Sequence, residues 1–134
     1  MKTIKKGILL LVLVIFASCA SNYDPYSYNE TVRLKEKTVK LVELGFEPYS
    51  VHAKSIDSLK VELNTLYSYE KTREKNEATV KLWSTVIVHD RGIIYGYFSL
   101  WKKKGSLNLV AVRQSIKDVT RVFDELLELE NAKK

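Results

Sequence analysis

The chain has one cysteine, two prolines, two histidines and five glycines, each glycine standing singly, among its 134 residues. A lone cysteine excludes an intramolecular disulfide and a thiolate metal site, so the fold must stand on its hydrophobic core. Scattered glycines cannot build a phosphate cradle, and no H-E-x-x-H or G-x-S-x-G motif occurs. No catalytic residue, metal ligand, cofactor or small-molecule substrate is therefore expected. Long apolar runs are also missing. The longest, Gly7 to Phe16, is about ten residues, whereas a helix needs roughly 20 to cross a bilayer. A permanent transmembrane anchor is not expected there.

What is present begins at the first residue. Lys2, Lys5 and Lys6 precede the apolar run, and the small residues Ala17, Ser18, Cys19, Ala20 and Ser21 follow it. Basic, apolar, small is the order of a secretory signal peptide. The stretch "FASC", ending in Cys19, resembles the lipobox of bacterial lipoproteins, with Phe16 where that family most often has Leu. The resemblance implies cleavage before Cys19, acylation of its thiol and new amino group, and membrane lipid as a partner. It also implies the periplasmic face of a Gram-negative outer membrane, because Ala20 stands where an Asp would signal retention at the inner membrane.

On this reading residues 1–18 are a leader, 19–28 a lipidated cysteine and tether, and 29–134 one helical domain. Loss of the leader removes three lysines and no acids, so the net charge falls from +6 to +3 on 116 residues. That lower charge weakens a nucleic-acid reading, which would need a concentrated basic face, and this length suits a single domain.

The domain reads as all-α. Ser27 and Glu30 have the spacing of a capping box, and the first helix carries Thr31, Leu34, Thr38, Leu41 and Val42 on one face, with Gly45 placed as a left-handed cap. A loop holds Pro48. The second helix, from Ser50 or Ser55 to Arg73, sets Ile56, Leu59, Leu63, Leu66 and Tyr67 at helical spacing. Its end, "YEKTREKN", reads as a solvated turn. The last helix begins near Ser106 or Asn108 and runs through Leu109, Val112, Ile116, Val119, Phe123 and Leu126.

The third segment admits two readings. Asn76 as N-cap and Lys102, Lys103, Lys104 and Gly105 as a C-terminal end favour one helix of about 28 residues. The β-branched residues flanking Asp90-Arg91-Gly92 allow a hairpin over residues 84–98 instead. In the helical reading Val80, Trp83, Ile87, Ile94, Tyr97 and Trp101 form one stripe, with Leu82, Val86, Ile93 and Leu100 a second beside it. That face is wider than a bundle helix needs. Either neighbours bury it, or Trp83, Tyr97 and Trp101 form an interface to a partner or a second copy. Four helices with short connections predict a small antiparallel bundle.

Beyond "FASC", the order "YDPYSY", helix, "LYSYEKTREKN", tryptophan-bearing helix and terminal amphipathic helix resembles a group of small uncharacterised lipoproteins of Gram-negative bacteria and their phages. That resemblance implies a helical fold and an envelope location, and carries over no catalytic residues. His52 stands at the start of the second helix. His89 adjoins Asp90, but neighbours on a helix point about 100° apart, which argues for a local side-chain partner over a general base. Asp90 falls on the apolar stripe, where a salt bridge would satisfy it. The expected role is docking to another envelope protein, including receptor blocking by a phage-encoded copy. The alternative is a structural role through the cell wall or self-association, and an envelope hydrolase stands third.

Overall fold

The computed structural model describes residues 21–88 and 91–134. Five helices account for most of them: α1 (Pro25–Glu43), α2 (Tyr49–Thr72), α3 (Glu77–Ile87), α4 (Ile93–Lys104) and α5 (Leu109–Asn131). No strand occurs among the described residues, so the all-α reading holds and the hairpin does not form. The count is five helices where four were expected, because the third segment breaks.

The break follows from local chemistry. The run Thr85-Val86-Ile87-Val88 loses side-chain freedom in a helix, and Val88 turns extended, with φ −72 and ψ 102. Gly92 then enters α4 in an extended conformation. A Cβ on Gly92 would stand 2.6 Å from the Val86 carbonyl oxygen, so the chain passes too close for any other residue. His89 and Asp90 lie outside the described residues.

The two pieces still act as one rod against α2. At the start of α3, the Asn76 amide donates to the Glu70 carbonyl at 2.9 Å. In α4, the Tyr95 hydroxyl accepts from Asn64 and donates to the Lys60 carbonyl. Trp101 lies edge-on to Tyr49, with ring centroids 5.7 Å apart. Residue numbers fall along α2 as they rise along α3 and α4, so the rods are antiparallel. The same sense joins α1 to α2, where Arg33 and Lys37 meet Glu62, and α1 to α5, where Lys35 meets Asp124. Helix α1 packs most closely on α5, the last on the first. The core is closed by side chains of residues 34–126, all within the described domain.

Capping agrees with the sequence in two places and departs in two. Asn108 accepts from the Ala111 amide at 2.8 Å, and Gly105 ends α4 with a positive φ, 79, that glycine adopts without strain. The first helix, however, starts at Pro25, capped by Asp24, whose carboxylate accepts from the Tyr26 amide. The expected tether therefore gives way to helix four residues before position 29, and the Ser27–Glu30 box is not used. Gly45 has no positive φ. Its role is spatial: a Cβ there would sit 1.8 Å from the Tyr97 hydroxyl oxygen, which donates to the Val42 carbonyl at 2.7 Å.

Gly45→Ala should accordingly destabilise the protein by about 1–3 kcal/mol through overpacking. Adding Tyr97→Phe removes the colliding oxygen and should recover part of that loss in a urea titration. Equal destabilisation with and without the second change would refute the collision.

Candidate functional site: an ionic clasp at the amino-terminal end

One end of the bundle is held by charge where a core would ordinarily be apolar. Glu70, near the end of α2, is fully buried, and Ser27 and Glu130 are each 2% exposed. The Ser27 hydroxyl donates to one Glu70 carboxylate oxygen. The other accepts from Arg73 at 2.9 Å and from the Asn76 amide at 2.6 Å. Arg73 also forks onto Glu130, at 2.9 and 2.8 Å, joining α2 to α5. Lys133 reaches back one turn to Glu130 at 2.6 Å and onward to Asn76 and Thr79.

The same groups hold the start of the described chain. Arg73 donates to the Asn22 carbonyl at 2.8 Å, and the Asp24 amide donates to Glu130 at 2.7 Å. Ser21 donates to the Lys133 carbonyl at 2.6 Å. Tyr69 donates its hydroxyl to the Asp24 carboxylate. Tyr23 and Tyr28 lie under the Lys134 ammonium, 4.6 and 5.8 Å from their ring centres. Three carboxylates, Asp24, Glu70 and Glu130, thus meet one guanidinium and one ammonium. No buried side-chain polar atom among the described residues lacks a partner, as a low-dielectric polar network requires.

Protonation follows from these contacts. Burial pushes the Glu130 carboxyl up, but hydrogen bonds from Arg73, Lys133 and the Asp24 amide outweigh it and hold it below the usual glutamate range. The Arg73 guanidinium is raised, chiefly by its hydrogen bonds to Glu130. The Tyr69 hydroxyl is pushed up to about 12, first by its hydrogen bond to Asp24 and then by burial. The Ser27–Glu70 pair has the hydrogen-bond relation of a nucleophile and a base, yet both side chains are sealed from solvent and face partners already bound.

No protein family, curated protein or solved structure matches this chain. Roles are therefore assigned by position and contact. Cys19 lies outside the described residues, two before the clasped Ser21. Trp83, Tyr97 and Trp101, read as a candidate interface, are 1%, 6% and 0% exposed. The structure corrects that reading: they are interior, because α2 and α5 close over the stripe from both sides. Trp83 packs edge-on to Phe123 of α5, and the Trp101 indole donates to the Glu47 carbonyl at 2.9 Å. His52 pairs with Glu47 at 2.6 Å and lies against Trp101. No group of histidine, cysteine and carboxylate side chains among the described residues could hold a metal ion, and no described helix is long and apolar enough to cross a membrane.

The composition of "YEKTREKN" suggests a solvated turn and hides the clasp. Its signal was positional: Glu70 continues the spacing of Ile56, Leu59, Leu63 and Leu66, and Glu130 that of Val119, Phe123 and Leu126.

Acid should loosen this end. Since the Glu130 carboxyl ionises at lower pH folded than unfolded, its contribution is complete above the ordinary glutamate range and is lost as pH falls through the folded value. Stability should fall with acidification, and Glu130→Gln should flatten that dependence in denaturant titrations run across the acidic range. An unchanged slope would show that Glu130 is not held ionised by the clasp.

Proposed function

We propose that this protein is a lipid-anchored protein of the bacterial envelope that acts by docking to another envelope component and not by chemistry. Acylated Cys19 provides the anchor, on the periplasmic face of the outer membrane in a Gram-negative host. The observation that carries this reading is where the clasp grips. Asn22 and Asp24 are fixed to α2 and α5, so only residues 19–21 separate the acylated sulfur from the body, a reach of about 10 Å at most. An anchor there holds the bundle's clasped end against the headgroups, with Tyr23, Tyr26 and Tyr28 at the level where amphipathic rings are favoured. Self-association through Trp83, Tyr97 and Trp101 loses support, since their surface is already used inside the monomer.

Cys19→Ser tests the anchor. It should abolish incorporation of labelled palmitate and leave an uncut precursor, because serine has no sulfur on which the thioether can form, and stable membrane anchoring, which needs multiple acyl chains, should be lost with it. Equal labelling of mutant and wild type would end the lipoprotein reading.

A further inference from the structure

The end opposite the clasp is built differently. Two loops close it: the Leu107 amide donates to the Gly45 carbonyl at 2.8 Å, and the Tyr49 amide to the Gly105 carbonyl at 2.7 Å. Large apolar side chains stand outward here, Phe46 on the turn after α1, Val51 in the first turn of α2, and Leu109 and Val110 at the start of α5. They are 55%, 69%, 53% and 78% exposed. Lys102, Lys103 and Lys104 end α4 beside them, all exposed. Charge is concentrated in the same place. Within residues 19–134, the segments 40–57 and 102–114 carry six basic and three acidic side chains, while the remainder carries thirteen of each. The whole net charge of the processed chain therefore belongs to this end.

We propose that this loop end docks on an anionic lipid bilayer, inserting its outward apolar side chains at the headgroup boundary while the lysines meet lipid phosphates. Apolar residues on turns and first helical turns, ringed by lysine, suit a bilayer, which accepts apolar side chains and attracts each lysine near its surface. Protein interfaces, by contrast, are depleted in lysine. The inference stands on the loop end alone and does not depend on acylation of Cys19. Because Ser21, two residues after Cys19, is held at the other end, a molecule lipidated on Cys19 would bridge two bilayers that approach to about the length of α2, some 36 Å.

The test uses the chain from Ala20 to Lys134, which contains the whole described core, with circular dichroism to show that each variant is folded. It should sediment with vesicles of phosphatidylcholine and phosphatidylglycerol and not with phosphatidylcholine alone, and added salt should weaken the binding. Phe46→Asp with Val110→Asp should lower the partition about tenfold or more, as should Lys102→Gln, Lys103→Gln and Lys104→Gln together. Lys75→Gln, at the clasped end, should leave it unchanged. Failure of the folded wild type to bind anionic vesicles, equal binding to neutral ones, or indifference to both sets of substitutions would overturn the proposal. Cross-linking to an envelope protein that needs these same residues, without vesicle binding, would assign the surface to a protein and also overturn it.

Discussion

Arg73→Met should destabilise the protein by about 3–5 kcal/mol at neutral pH, the magnitude of breaking a buried ion pair from one side. Among the described residues Arg73 is the one cation in contact with both Glu70 and Glu130, and its side chain is only 12% exposed. Methionine can fill much of its volume but leaves two buried carboxylates facing each other, with Lys133 reaching Glu130 alone. Replacing Glu70 and Glu130 by Gln in the same chain removes the uncompensated charge and should restore part of the loss. Denaturant midpoints measure both effects. The substitution should also free Asn22, so amide exchange over residues 22–28 should rise more than exchange in α4. A loss below about 1 kcal/mol, typical of an exposed pair, would mean that water reaches these carboxylates and that the clasp is not a buried network.

Trp101→Ala should cost about 3–5 kcal/mol and leave any association of the protein unchanged. The ring is fully buried, lies among Tyr49, Tyr97 and Phe98, and donates to the Glu47 carbonyl. Alanine removes the aromatic contacts and leaves that carbonyl unpaired, in a part of the fold where Gly45 already lets Tyr97 approach the backbone closely. An unchanged melting temperature with loss of association would instead return Trp101 to an interface. Calorimetry and sedimentation on the same preparation separate the two outcomes.

These two side chains also mark what could and could not be read from the sequence. Trp101 sits on a stripe whose spacing of three and four persists from Val80 to Trp101, so its inward direction was legible, although the reading left open whether protein or partner covers it. The break inside that stripe was not legible from the spacing, because α3 and α4 keep the same heptad phase on both sides. Only the β-branched run before Asp90-Arg91-Gly92 hinted at it, and a hairpin would have explained that run equally well. Asn108 and Gly105 were readable because capping chemistry is local. The clasp is not local: Ser27 meets Glu70 across 43 residues, Arg73 meets Glu130 across 57, and the Asp24 amide meets Glu130 across 106. Glu70 and Glu130 each extend their helix's apolar rhythm by one step. A core position filled by Glu on two helices, with an Arg one turn from the first, is the pattern that anticipates such a network.

In the proposed function the clasp would lie beside the anchor, because Ser21 and Asn22, which it holds, follow Cys19 by two and three residues. The most direct measurement is the intact mass of the protein extracted with detergent from membranes of a Gram-negative host expressing the full 134-residue chain. A chain that begins at Cys19 and carries three acyl groups is the expected result. A chain that still begins at Met1, or a cut chain whose Cys19 is absent or unmodified, would contradict it.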